Sequence, residues 1–363
     1  MEITTLADIQ HLVVIPGTDW KQYGEVHVQY SGDLAIFNYS PAAQFANRWN
    51  VFERVSRGLI LNTRTGEVVA LPFSKFFNWG QEPISHRGGI VSVTEKLDGS
   101  LGLLYRDNGE HKIATRGSFT SDQALWATNW LQSNHGGIRG LCQEWTLLFE
   151  ILYPENRVVV DYHGRKALVL LAVRNRFTGI YLSTSVVDHL ASAYTFERPQ
   201  SFSFGTVEEI IEACQSIDVN QEGWVAEFVD GSRVKFKGDQ YVALHRLLMH
   251  LSFKHALEAV QGGTLPQLRE RIPDEFAGEF TGWVAEIEET IQGTHGAVAS
   301  AMARAPAGAD RKTFALWVQS EHPEIASYLF ATLDGRDITP MIYRQAFKDR
   351  REESPRVSTE ETA

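Results

Sequence analysis

Thr94-Glu95-Lys96-Leu97-Asp98-Gly99-Ser100 closes an alternating apolar run (Ile90, Val91, Val93), and this stretch decides how the rest of the chain reads. Alternation marks a strand, so Lys96 stands at a strand's end. A lysine two residues ahead of Asp-Gly is what covalent nucleotidyl transfer needs. The amine can attack the α-phosphate of a nucleotide. The acid lies two residues on, hence on the same face of an extended chain. The glycine lets the backbone turn tightly against the bound nucleotide. A four-residue pattern with one free position also recurs by chance, so its weight depends on the patches that follow it in order.

The second anchor is Glu222-Gly223-Trp224, followed by Arg233-Val234-Lys235-Phe236-Lys237, around the hairpin signal Asp230-Gly231. Strand alternation puts Lys235 and Lys237 on one face and Val234 and Phe236 on the other. Two ammonium groups on one face repel unless an anion lies between them, and phosphate is the natural guest. Such a cluster would depress the pKa of a neighbouring Lys96 and free its amine. The same spacing also suits an edge strand guarded by lysines. Thr115-Arg116-Gly117-Ser118 ends a strand after the hairpin signal Asn108-Gly109. Arginine before Gly-Ser suits an anion, and it equally suits a turn with a solvated arginine. Phe149-Glu150 follows the apolar strand Trp145–Leu148, and the acid could hold a ribose hydroxyl or serve as a helix cap or surface charge. Arg57-Gly58 and Lys75-Phe76-Phe77-Asn78 lie upstream and offer further phosphate donors, with the two phenylalanines read as core.

The chain has 363 residues, enough for two domains, and ordinary apolar and charged fractions. No apolar run reaches membrane-span length, and no secretory leader is read at the N-terminus. Two cysteines, Cys142 and Cys214, lack metal-type spacing, which fits a cytoplasmic protein. A net charge of −11 argues against indiscriminate coating by nucleic acid but leaves room for a local basic cleft. His245, His250 and His255 are spaced by five and drift around a helix, so they read as surface or packing residues rather than ligands.

The expected fold class is α+β: antiparallel sheets followed by an all-helical C-terminal domain. Strands are expected at Leu101–Tyr105, Lys112–Thr115, Arg157–Tyr162, Ala167–Val173, Trp224–Val229 and Arg233–Lys237, with a helix at Ser121–Gln132. Tyr241–Val260, Phe276–Gln292, Arg311–Gln319 and Glu324–Thr332 carry helical spacing. The expected divisions are 1–243, 244–348 and a disordered polar tail, 349–363.

Taken in order, Lys96-Leu97-Asp98-Gly99-Ser100, Arg116-Gly117-Ser118, Phe149-Glu150, Glu222-Gly223 and Lys235-Phe236-Lys237 resemble the nucleotidyl transferase motifs of ATP-dependent polynucleotide ligases. The closer resemblance is to the bacteriophage-type RNA ligase 1 family. It includes Arg57-Gly58, Lys75-Phe76-Phe77-Asn78, Glu155-Asn156-Arg157-Val158-Val159 and Tyr241-Val242-Ala243-Leu244-His245, and it spans roughly Arg54 to His245. The resemblance implies ATP and Mg²⁺ or Mn²⁺ as cofactors. RNA with 5′-phosphate and 3′-hydroxyl ends, nicked tRNA among the candidates, would be the partner. Lys96 would become adenylylated, with Asp98, Lys235 and Lys237 also catalytic. Arg116, Lys235 and Lys237 would hold phosphates, Glu150 the ribose, and Arg57 and Lys75 the outgoing pyrophosphate. Glu95, Leu97, Gly99 and Tyr241 would complete the nucleotide pocket, and Glu222 would bind the metal's hydration shell. Position 116 is arginine where some members have lysine, and its fork meets phosphate differently. A DNA ligase, an RNA capping guanylyltransferase and a non-catalytic module that binds RNA ends are the alternatives. The first two usually carry a small β-barrel where this chain reads as helices.

Overall fold

The computed structural model describes residues 2–46, 49–81, 88–140, 144–248, 251–269, 272 and 276–353. The chain divides into two compact units, Met1–Met249 and His250–Ala363. Among the described residues, the first unit holds three sheets. The first runs in the order β1 (Val26–Ser31), β2 (Leu34–Tyr39), β3 (Arg57–Asn62), β4 (Val68–Ala70), all antiparallel. The second has the antiparallel order β10 (Ala167–Asn175), β9 (Trp145–Leu152), β7 (Ser100–Asp107), β8 (Glu110–Thr115). The third has the order β11 (Ser201–Phe202), β6 (Ile90–Glu95), β12 (Gly223–Phe228), β13 (Arg233–Lys237), β5 (Phe77–Asn78). Its β13–β5 pairing is parallel and the others are antiparallel. The Asn108-Gly109 signal makes the expected hairpin. Both residues have positive φ, 50° and 85°, as a two-residue turn between twisted strands requires.

The expected strand at Arg157–Tyr162 does not form. The backbone N–H groups of Val159 and Val160 both donate to Asp98 Oδ2, at 2.8 Å, instead of joining a ladder. The β-branched run is therefore a loop wrapped around one carboxylate. The expected helix at Ser121–Gln132 forms as α4, numbered after α1 (Leu6–Val13), α2 (Pro41–Ala46) and α3 (Val51–Val55). α4 spans Asp122–Asn134. The Ser121 side chain caps it and Ala124, Ala127 and Leu131 are buried. α5 (Thr184–Ala193) covers β10, and α6 (Val207–Ser216) packs beside the third sheet.

The expected continuous stretch Tyr241–Val260 is broken in two. α7 (Asp239–Leu248) stops before Ser252, whose side chain starts α8 (Phe253–Gly262) by accepting from the His255 N–H. α7 stays with the first unit, where Val242 and Leu244 pack around Val159, Val160 and Tyr241. Within the second unit α8 is followed by α9 (Leu265–Arg269), α10 (Ala277–Met302), α11 (Arg311–Glu321), α12 (Ala326–Leu333) and α13 (Thr339–Glu353). These described elements are all helices, around a core that includes Val298, Phe314, Val318, Leu329 and Ile342. α13 runs five residues into the segment read as a disordered tail. Asp349 to Glu353 lack apolar periodicity, but Arg and Glu are good helix formers and extend a helix already begun. Residues 354–363 lie outside the described residues.

Gly223, the first residue of β12, lies with its backbone close against β13. Its φ is +137°, and a Cβ there would lie 2.0 Å from the Phe236 carbonyl oxygen. Its own carbonyl accepts the Lys96 N–H at 2.8 Å. Gly223→Ala should therefore lower unfolding free energy by roughly 2 kcal/mol or more in urea titrations. An unchanged midpoint would refute this close approach.

Candidate active site

A cleft of about 600 Å³ opens in the first unit, lined by residues of all three sheets. Arg57, Glu95, Lys96, Leu97, Gly99, Arg116, Glu150 and Lys235 line it. These are eight of the expected site residues, drawn from positions far apart in sequence.

Lys96 follows β6 directly, so the strand's hydrogen bonds fix its backbone. Its Nζ lies 2.6 Å from Glu222 Oε2, and Lys237 Nζ lies 3.1 Å from Glu222 Oε1. Glu222 is only 2% exposed. Burial alone would raise its pKa, but the two ammonium groups outweigh burial and hold it below the ordinary carboxylate value. The environment expected for Lys96 was a cationic cluster. Its close ionic partner is instead a carboxylate, shared with Lys237. An ammonium has no lone pair to offer, so Lys96 must release a proton before it can act as a nucleophile.

Lys235 reaches the cleft from the neighbouring position on the same face of β13. Its Nζ stands 5.1 Å from the centroid of the Phe76 ring, and the Arg57 guanidinium stands 5.4 Å from the same ring. Phe76 is thus part of the cleft wall rather than core, and it holds two cations near each other. Phe77, by contrast, is buried as expected.

Glu150 accepts the Gly99 N–H at 3.0 Å. A Cβ at Gly99 would meet the Ile151 carbonyl oxygen at 2.5 Å, so only glycine permits this contact between the two chain segments. Glu150 has its pKa raised to about 7, chiefly by burial of its carboxyl and further by the charge of Glu222. Lys96, the Gly99 N–H and Arg57 pull the other way.

Three expected site residues are placed elsewhere. Asp98 does not line the cleft with Lys96. Its Oδ2 accepts from Val159 and Val160, and its Oδ1 accepts from the Tyr241 hydroxyl at 2.9 Å. The Tyr162 hydroxyl accepts the Asp98 N–H at 2.7 Å. The strand ends at Glu95, so the two-residue alternation that would have aligned Asp98 with Lys96 no longer applies. Tyr241, expected at the nucleotide, is 1% exposed and serves this clamp. Lys75 is 5% exposed and does not line the cleft. Its Nζ sits 4.9 to 5.2 Å from the ring centroids of Tyr39, Trp49 and Phe77, and 3.3 Å from the Tyr39 hydroxyl.

Among the described residues, no group of three or more His, Cys, Asp or Glu side chains is placed to hold a metal. His245 packs edge-on against Tyr241. His250 lies outside the described residues. Glu222 and Glu150 nevertheless suit a hard dication of the Mg²⁺ type, which binds through one or two carboxylates, waters and substrate phosphates. Their mutual repulsion, visible in Glu150, is what a cation between them would relieve.

Residues 55–245 match the RNA ligase family of the T4 RNA ligase 1 type. The chain belongs to this family. A bifunctional polynucleotide kinase/RNA ligase of Autographa californica nuclear polyhedrosis virus, so described, is 30% identical over 59% of this chain and 34% of its own length. RNA ligase 1 of bacteriophage TS2126 is 29% identical over 74% of this chain and 70% of its own. The chain thus spans about a third of the viral relative. An archaeal ATP-dependent RNA ligase structure aligns with a TM-score of 0.50 and 16% identity, covering 79% of this chain and 82% of that one, and this shows the fold.

Two residues of this RNA ligase family chain were not anticipated from sequence, and both precede the matched segment. Asn38 lines the cleft, and its Oδ1 is buried without a hydrogen-bond partner among the described residues. The Tyr39 hydroxyl accepts from Arg116 Nη1 at 3.1 Å as well as from Lys75. The only sequence signal was that the apolar run Leu34–Phe37 ends in two polar groups.

The raised pKa of Glu150 has a consequence for stability. Between about 4.5 and 7 the folded state holds a proton that the unfolded state has released. This group therefore lowers stability as pH rises through that window, by up to about 3 kcal/mol. Glu150→Gln should flatten that part of a curve of unfolding free energy against pH, and an unaltered curve would refute the assignment.

Proposed function

We propose that this chain is an ATP-dependent RNA ligase acting through a lysyl-AMP intermediate. The observation that carries this reading is Lys96, an amine at a strand end, facing a cleft lined by Arg57, Arg116 and Lys235 and anchored on Glu222 with Lys237. In the first step the deprotonated amine attacks the α-phosphorus of ATP. The N–P bond forms, the bond to the bridging oxygen breaks, pyrophosphate leaves, and the nitrogen sheds its remaining surplus proton. In the second step an oxygen of an RNA 5′-phosphate attacks the AMP phosphorus, the N–P bond breaks, and the departing Lys96 nitrogen takes up a proton. In the third a 3′-hydroxyl attacks that activated phosphate, loses its proton and releases AMP. Lys235, Lys237, Arg57 and Arg116 neutralise charge that shifts among phosphate oxygens, which is most of what a protein contributes to phosphoryl transfer. A bound Mg²⁺ or Mn²⁺, held by Glu222 and Glu150 with waters, would add further positive charge at the phosphates.

The described elements after α7 are helices, which supports an RNA ligase over a DNA ligase or a capping guanylyltransferase. The helical unit is proposed to select structured RNA such as nicked tRNA. Its cations Arg269, Arg304, Arg311, Lys312, Arg336, Arg344 and Lys348 could meet backbone phosphates, although Arg311 and Arg336 both bind Asp334, at 2.6 and 3.0 Å. Arg271 lies outside the described residues. No described helix is long and apolar enough to cross a membrane. A cytoplasmic setting is part of the proposal.

Incubation with α-labelled ATP and Mg²⁺ should attach AMP covalently to the wild type. The label should be absent from folded Lys96→Ala and prevented by EDTA. A labelled Lys96→Ala protein would sink the assignment, and a wild type that takes no label would favour a non-catalytic RNA-end-binding module. A chain ending after residue 249 should still take the label. It should lose more sealing activity on nicked tRNA than on unstructured RNA. Equal loss on both, with a lower melting temperature, would leave the helical unit a structural role only.

A further inference from the structure

A second cavity of about 440 Å³ adjoins the catalytic cleft and shares with it Phe73, Phe76 and Arg233. Four cations line it, Arg54, Lys75, Arg174 and Arg233, against one acid, Asp230. In a chain of net charge −11, such a surplus needs a local reason. Tyr181 carries two guanidinium groups, Arg233 at 4.0 Å and Arg174 at 4.8 Å from the ring centroid. Like charges on one ring repel, and burial and then the charge of Arg233 pull the Arg174 pKa down, against the opposing effect of Tyr181.

The protein fixes both guanidinium groups without using all their donors. Arg174 donates from Nε to the Gly179 carbonyl at 3.0 Å and from Nη1 to that of Pro72. Arg233 donates from Nη2 to Glu227 at 3.0 Å. Their remaining N–H groups make no hydrogen bond among the described residues. The Ser232 hydroxyl, also in the cavity wall, is buried and has no partner among them. A buried hydroxyl in the same cavity wall as two guanidinium groups suits an acceptor that is also an anion.

Strand β13 links this cavity to the reacting centre. Arg233, Lys235 and Lys237 occupy alternate positions, so they form one row with a step of about 7 Å. The row begins at the second cavity and ends at Glu222 and Lys96. A row of cations fits a chain of phosphates better than a single ion.

We propose that this cavity binds a backbone phosphate of the RNA strand whose end reacts in the cleft, through Arg174, Arg233 and the Ser232 hydroxyl. The proposal rests on the ligase reading for the identity of the strand. Asp230 limits the site, but its Oδ1 is turned to the Ser232 N–H at 2.9 Å.

The test uses the full chain and a 5′-phosphorylated single-stranded RNA, with affinity read by fluorescence anisotropy over a series of KCl concentrations. Ser232→Asp should weaken binding about tenfold, and Arg233→Gln should also reduce the slope of log affinity against log salt by about 1. Arg233→Lys should retain the slope, which separates loss of charge from loss of packing. Wild-type affinity and slope in both Ser232→Asp and Arg233→Gln would overturn the proposal. So would unchanged RNA binding together with weakened reversal of lysyl-AMP by pyrophosphate, because the site would then belong to the leaving group. Labelling by α-labelled ATP is measured on the same samples. A wild type that binds RNA but takes no label would refute the ligase reading while leaving the phosphate site supported.

Discussion

The Asp98 carboxylate holds three parts of the first unit together. It accepts two backbone N–H groups from the loop at Val159 and Val160 and the hydroxyl of Tyr241 on α7, and Asp98 is only 6% exposed. A buried carboxylate without such donors would be strongly unfavourable, so the loop and the helix are held as firmly as the acid is. Lys96 lies two residues before this anchor, at the end of β6, with its own N–H bonded to Gly223. Lys96 is thus fixed on both sides by backbone contacts rather than by its flexible side chain.

That fixed backbone lets one buried carboxylate govern two amines. Glu222 sits between Lys96 and Lys237 and compensates two charges with one. Two ammonium groups and one carboxylate leave a net positive centre, which favours an entering phosphate. Burial also makes the Glu150 carboxyl harder to ionise than an ordinary carboxylate, so this side of the cleft carries less negative charge than its two acids would suggest. The arrangement is attractive to a polyanion although the chain as a whole is acidic.

Much of this was legible in the sequence. The Asn108-Gly109 and Asp230-Gly231 turns, the alternation of β13 and the cap at Ser121 are local signals, and each produced the expected element. The failures came where a long-range contact overrode a local pattern. Arg157–Tyr162 has strand composition, but Asp98 captured its N–H groups. Asp98 was read as catalytic and Tyr241 as a nucleotide contact because adjacency to Lys96 and to the last lysine is visible in sequence, whereas a hydrogen bond between residues 143 positions apart is not. Tyr39 and Asn38 left almost no signal, since strand register alone brings them to Arg57 and Arg116.

The cation–aromatic contacts explain how so many positive groups coexist in and beside the cleft without an equal number of acids. Arg57 and Lys235 both stand near the Phe76 ring, Lys75 and Arg116 near that of Tyr39, and Arg174 and Arg233 near that of Tyr181. A ring face attracts a cation through its quadrupole but carries no charge of its own. Carboxylates in the same places would bind the cations more strongly and cancel their field. Rings hold the side chains in position and leave that field intact for phosphate. Phe76, read as core from sequence, is therefore better understood as part of the cleft wall that holds Arg57 and Lys235 in position.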